Sequence, residues 1–219
     1  MTTAAPHPTH ALSFLARLQL GLEALYRVET RLQIDAFVVD ERERDATAPA
    51  RSPREQLLIR EEDDEVAMGL YVDREALANL EANDPARGLD QRNFGDFCLA
   101  VEGVSHFVYV ALCAAADRPV SPLELELQAE VDKFACCLLV AGAAPDLRRR
   151  LYGDVQFAPD LDGDERDRYR TANQEASRYA DALERRFIRQ LALPALLVEL
   201  RRFYRMGLAD KLGHIARHA

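Results

Sequence analysis

The chain has 219 residues, 28 of them basic and 37 acidic, for a formal net charge of −9; 48% of it is hydrophobic and 30% charged, with 10 Gly and 10 Pro. Such proportions belong to an ordinary globular chain and exclude collagen-like, low-complexity and wholly disordered classes. The length suits one domain with a sizeable core.

Met1 to His10 lacks Lys, Arg and any apolar stretch, so it reads as a disordered start and not as a signal peptide. Residues 11–219 are expected to form a single domain. Leu15, Leu18, Leu22 and Leu25 fall at helical spacing and predict an amphipathic helix. Ile34 to Val39 reads as a short strand. Asp40 to Arg54 is charged, holds Pro49 and Pro53, has no periodicity and is expected to be a mobile loop. Gln56 to Arg60 and Val66 to Val72 predict a β-hairpin whose tip is the acidic run Glu61, Glu62, Asp63, Asp64, Glu65. Five adjacent acids repel one another and favour a solvated turn. A cation site at the tip would need EF-hand spacing and a sharp-turn Gly, and neither is present.

Asp73 to Ala82 predicts a short helix capped by Asp73, followed by a loop from Asn83 to Asp90. Two central helices are then expected, at about 93–116 and about 121–141. Asn93 is the expected N-cap of the first. Ser121-Pro122 with Glu124 opens the second, and Gly142 and Pro145 close it. Asp146 to Tyr152 predicts one or two turns, and Gly153 to Gly163 a loop. Asp164 to about Gln190 predicts a long charged helix with a narrow stripe of Tyr169, Ala172, Ala176, Tyr179, Leu183 and Phe187. Two further helices, Ala195 to Met206 and Leu208 to Ala216, complete a C-terminal helical part over about 164–219. The expected class is therefore α+β, mostly α: a small antiparallel sheet (hairpin about 56–72 plus strand about 34–39) packed on a helical bundle with a central helical hairpin. The longest uninterrupted apolar run, Phe134 to Pro145, falls short of the ~20 residues a membrane span needs. That, with four cysteines (Cys98, Cys113, Cys136, Cys137) in apolar stretches and no CxxC spacing, leads to an expected cytoplasmic location with reduced, buried thiols. Only Lys133 and Lys211 are Lys among the basic residues; this Arg-rich, Ala-rich usage fits a GC-rich bacterial genome.

One polar constellation stands out in the apolar helix from Asn93. Glu102, Ser105, His106 and Tyr109 lie at i, i+3, i+4, i+7 and share a face. A carboxylate and an imidazole in such a setting must be paired, solvated in a cleft or bound to something. The next helix carries Glu126, Glu130 and Lys133 on one face, while Glu124 and Asp132 are expected to point elsewhere. If the two faces meet, three carboxylates, one His and one Lys converge. The bland reading is an internal ion-pair network in which Glu102 pairs with His106 and Lys133 neutralises Glu130 or Glu126. A metal-free catalytic or ligand cleft is a second reading. A third is a metal site for Zn, Mn or Fe on His106, Glu102, Glu126 and Glu130. There, bound water would attack a carbonyl or phosphoryl group with a Glu as general base, Glu102 and His106 being the candidate catalytic pair. A hairpin followed by a His-bearing helix is the order of elements in small metallopeptidases, but position 101 is Val and His106 follows Glu102 by four, so HExxH is absent. Lys133 beside the site also opposes a cation. His7, His10, His214 and His218 are expected to be solvated near the termini. GxGxxG and GxxxxGK[ST] phosphate loops are both missing.

Charge is uneven along the chain. Residues 164–219 carry 12 basic and 8 acidic groups, net +4, against −13 for residues 1–163. Arg201, Arg202 and Arg205, interleaved with Phe203 and Tyr204, are candidate nucleic-acid contacts, and Tyr109 and Lys133 are further candidate binding residues. The net charge of −9 disfavours general affinity for DNA. The sequence therefore supports three functional expectations. The first is a non-catalytic, regulatory or binding module acting through protein–protein contacts. The second is a metallopeptidase-like hydrolase, and the third is nucleic-acid binding through the basic end.

Overall fold

The structure is a computed structural model, and it describes residues 12–47, 53–62, 65–142, 146–153, 155 and 161–218. The expected disordered start lies outside the described residues. Helix α1 (Phe14–Tyr26) starts where Ser13 Oγ accepts from Ala16 N at 3.0 Å, and it buries Leu15, Leu22 and Leu25 as its spacing predicts. Its stripe also contains Gln19, buried and fully used. The Gln19 amide nitrogen lies within hydrogen-bond distance of Glu23, Thr30 and the Leu32 carbonyl, and its oxygen accepts from Ile34 N at 3.0 Å. That clasp turns the chain back on itself. Ile34–Ala36 is consequently a 3₁₀ turn rather than the expected strand, and only Val38 pairs in parallel with the sheet, opposite Leu70.

Helix α2 (Glu41–Thr47) replaces much of the expected mobile loop. It is opened by reciprocal bonds, Glu43 N to Asp40 Oδ1 at 3.0 Å and Asp40 N to Glu43 Oε2 at 3.2 Å. This Asp-x-x-Glu capping pattern was legible in the sequence. Arg44 is buried over the Tyr71 ring at 4.2 Å, which ties α2 to the sheet. Strands β1 (Glu55–Glu62) and β2 (Glu65–Val72) pair antiparallel, Glu55 opposite Val72, as expected; two residues of the acidic tip lie outside the described residues. Helix α3 (Arg74–Ala82) is capped by Asp73.

Helix α4 (Phe94–Ala115) is the centre of the fold, packed on α1, α3, both strands and α5 (Pro122–Ala141). Asn93 makes no cap bond to α4. Its side chain instead accepts from Asp90 N and donates to the carbonyls of Asn83 and Gly88, holding the preceding loop. Ser121 does cap α5, and Gly142 at φ 73° ends it. By length and composition α4 could cross a membrane, contrary to the expectation from uninterrupted runs, yet 72% of its most apolar stretch is buried inside the fold. Its apolarity on nearly all sides follows from that central position.

Helix α6 (Leu147–Tyr152) leads to α7 (Gly163–Leu183), which opens with a capping box between Asp162 and Glu165 and lies against α5. Ala172, Ala176, Tyr179 and Leu183 of the predicted stripe are buried. The helix continues as a π turn over Glu184–Ile188, and Leu191 then takes a left-handed backbone at φ 54°. Helices α8 (Leu193–Tyr204) and α9 (Leu208–His218) close the bundle. The class is α+β, mostly α.

Candidate functional site

The two polar faces meet, and a third element joins them. Lys133 Nζ lies 2.6 Å from Glu130 and 3.1 Å from Glu102. His106 is not paired with Glu102. Its Nδ1 faces Glu55 at 3.5 Å and its Nε2 faces Glu126 at 3.6 Å. The correction has a geometric cause. Glu102 leans toward α5, and the space beside His106 is taken by Glu55 at the start of β1. Room for Glu55 comes from Gly103, where a Cβ would stand 3.0 Å from Glu55 Cγ and 3.1 Å from both Glu55 Oε1 and Leu70 Cδ1. Mid-helix glycine costs about 1 kcal/mol relative to alanine, and here it admits a carboxylate over the helix. We expect Gly103→Ala to lower stability by about 1 kcal/mol despite the better helix propensity, read as a lower urea midpoint, because Glu55 and Leu70 must both shift. An unchanged or higher midpoint would show that Glu55 is not held against α4.

Electrostatics follow from this arrangement. Burial works against a charged His106, but Glu126 and Glu55 on its two edges outweigh it and hold the imidazole well above its ordinary pKa. Burial likewise works against Lys133, and Glu102 and Glu130 reverse it. Burial raises Glu55 and Glu130, whereas at Glu102 burial is outweighed by Lys133 and His106, which bring it below its usual value. From α7, Arg168 Nε approaches Glu126 at 4.0 Å, and burial together with Glu126, Glu102 and Glu55 raises the Tyr169 phenol. Neither Arg168 nor Glu55 had a signal in the sequence, since each is far along the chain from α4 and α5.

Each ring nitrogen of His106 faces a carboxylate, an arrangement that favours the protonated imidazole over one with a lone pair free for a metal. Among the described residues, no group of three or more His, Cys, Asp or Glu is placed to hold an ion. The arrangement of Glu55, Glu102, His106, Glu126, Glu130 and Lys133 fits an ion-pair network that ties β1, α4 and α5 together.

The other two members of the predicted line lead elsewhere. Ser105 Oγ donates to Asp132 at 2.6 Å, and Tyr26 and Gln128 also donate to Asp132. Asp132 thus faces α4 from an interior position, and burial pushes it up to about 6. Tyr109 donates to Glu124 at 2.7 Å and accepts from Lys211 Nζ at 2.7 Å, and Lys211 also donates to Gln128 at 2.6 Å. Arg118 completes the chain of bonds at Glu124, 2.7 Å away. Lys211 is fully buried on α9, and no sequence feature marked it. His214, expected to be solvated, is 1% exposed and bonds Glu199 at 2.5 Å.

At the basic end, two of the three candidate arginines have internal duties. Arg201 donates to the Leu25 carbonyl at 2.7 Å, and Arg205 to the Tyr26 carbonyl at 3.1 Å. Both cap the C-terminus of α1, where orphan carbonyls and the helix dipole favour cations. Phe203 and Tyr204 are buried and stack on Tyr179 and Tyr26, so they cannot stack on bases. The Arg202 side chain is exposed and makes no hydrogen bond or ion pair among the described residues. All four cysteines are free thiols; Cys98 is partly exposed and the others are buried. Compared with protein-family models, curated proteins and solved structures, the chain finds no match.

Proposed function

We propose that the chain is a non-catalytic module that acts by binding another protein through the outward face of α8. The observation that carries this reading is a run of exposed apolar residues close in sequence at the start of α8. Leu191 is 90% exposed, Val198 65% and Leu193 50%, with Pro194 and Ala195 exposed between them. Single exposed leucines are ordinary, but a run of apolar side chains within one turn and its following helix marks an interaction surface. Leu191 adds a second cost. Its left-handed backbone closes the π turn through Leu191 N to Ile188 O at 3.0 Å, a position that suits Gly or Asn, and its side chain gains nothing by burial. The hydrolase reading has less support, because Lys133 sits between Glu102 and Glu130 and His106 between Glu55 and Glu126. A cytoplasmic, reducing location goes with the proposal and is supported by four free thiols.

The test places a photoreactive side chain at Val198 in cells of the native host, with Leu20 on α1, 52% exposed, as a control position. One dominant adduct is expected from Val198 and none from Leu20, and Leu191→Asp should abolish it. Adducts of equal yield from both positions, or none from Val198, would overturn the reading.

A further inference from the structure

We infer that the partner at this face is an acidic amphipathic helix, an inference that rests on the binding role of α8. The face is not merely apolar. Between Arg185 and Ala209 the only acidic residue is Glu199, and Glu199 is turned inward, 7% exposed and bonded to His214. Everything charged that this stretch presents to solvent is therefore cationic. Most of its arginines are engaged at home: Arg185 with Asp181 at 2.5 Å, Arg186 near Glu199 at 3.9 Å, and Arg201 and Arg205 on the carbonyls of α1. The side chains of Arg189 and Arg202 are exposed and make no hydrogen bond or ion pair among the described residues. They bracket the apolar run, Arg189 just before Leu191 and Arg202 one turn beyond Val198.

Pro194, Val198 and Arg202 follow one another at i, i+4 and i+8, so they form one line on α8, with Ala195 beside it. From Pro194 to Arg202 the line is ~12 Å long. Its complement is a segment of similar length with aliphatic residues at i, i+3 or i+4, and i+7, and with carboxylates at either end. A helix laid on an apolar face in this way reads as anchors at those spacings. Two competitors fit less well. A second copy docked by a two-fold axis would set Arg189 and Arg202 against the same cations. A nucleic-acid backbone would satisfy the arginines but leave Leu191, Leu193 and Val198 facing phosphates.

The experiment uses the full chain and two synthetic helices of about 18 residues, long enough to hold helical structure. Both carry the same leucine stripe; one is flanked by Glu and the other by Lys. Binding is read by fluorescence anisotropy. The Glu helix is expected to bind at least tenfold tighter than the Lys helix, with affinity falling as salt rises. Val198→Asp should abolish binding. Joint Arg189→Glu and Arg202→Glu should invert the preference, and Leu20→Asp should change nothing. Circular dichroism confirms that each variant is folded. Equal binding of the two helices, or no effect of the charge reversal, would overturn the acidic partner while leaving the crosslink at Val198 to stand. Sedimentation of the chain as a dimer that Val198→Asp splits would assign the face to a second copy and overturn it as well. If neither helix binds and Val198 yields no adduct, both readings fall together.

Discussion

Lys133→Met is expected to lower the unfolding free energy by about 3–5 kcal/mol, the cost of removing one partner from a buried ion pair. Lys133 is the only cation within salt-bridge distance of Glu102 or Glu130 among the described residues, at 3.1 and 2.6 Å, and its own side chain is 12% exposed. Methionine keeps the volume and the unbranched stem, so little packing is lost. What remains is two carboxylates facing each other inside the fold, one of which, Glu130, already has a buried oxygen without a hydrogen bond. For a chain of this size the loss corresponds to a fall in Tm of roughly 10 °C. The triple variant Lys133→Met, Glu102→Gln, Glu130→Gln removes the stranded charges and should recover most of the stability, because buried ion triads can be replaced at little cost. Urea unfolding of the three proteins decides the matter. A loss under about 1 kcal/mol for Lys133→Met would place these groups with solvent-exposed pairs, whose net worth is small.

The network also shows where sequence reading reaches and where it stops. Helix periodicity placed Glu102, His106, Glu126, Glu130 and Lys133 on facing lines, and the faces do meet. Periodicity is local, however, and the partners chosen across the interface depend on how far each helix is rotated and on what else enters. Glu55 enters because Gly103 leaves room for it, a fact visible only once β1 lies over α4. Asp132 shows the same limit in reverse: spacing turned it away from α4, yet the interior surrounds α5 on several sides, and Ser105, Tyr26 and Gln128 all reach it. Caps were among the most legible features, since Asp73 and Ser121 act within their own turns. At Asp40 and Glu43 the same chemistry opens α2 inside a stretch whose composition reads as loop. Asn93 shows that cap chemistry can be drawn into a loop when carbonyls compete for the same amide.

The strongest pH dependence is expected from Lys211. Burial lowers its pKa from 10.5 to about 7, with Glu124 and Asp132 opposing the fall and Arg118 adding to it. Its direct partners, Tyr109 and Gln128, are neutral, so no carboxylate touches the ammonium. Between pH 7 and the unfolded value, the folded chain binds fewer protons at this site than the unfolded chain. Unfolding then takes up a proton, and stability from this group climbs with pH, by up to about 1.4 kcal/mol per unit. Below pH 7 the ammonium is present in both states and its burial penalty is carried in full. Other groups act oppositely over the same range: burial raises the thiols of Cys113 and Cys136, which stay protonated in the fold while ionising in the unfolded chain. The informative quantity is therefore the difference between wild type and Lys211→Met, measured by urea unfolding across the alkaline range. Wild type should gain on the variant by about 2 kcal/mol between pH 7 and pH 9, because methionine has no proton to release. At pH 7 the variant loses hydrogen bonds to Gln128 and Tyr109 but is relieved of a buried cation, effects of opposite sign and similar size. A flat difference would mean that Lys211 keeps its proton throughout, held by Glu124 and Asp132, and that α9 is pinned to the core by a charge rather than by a neutral amine.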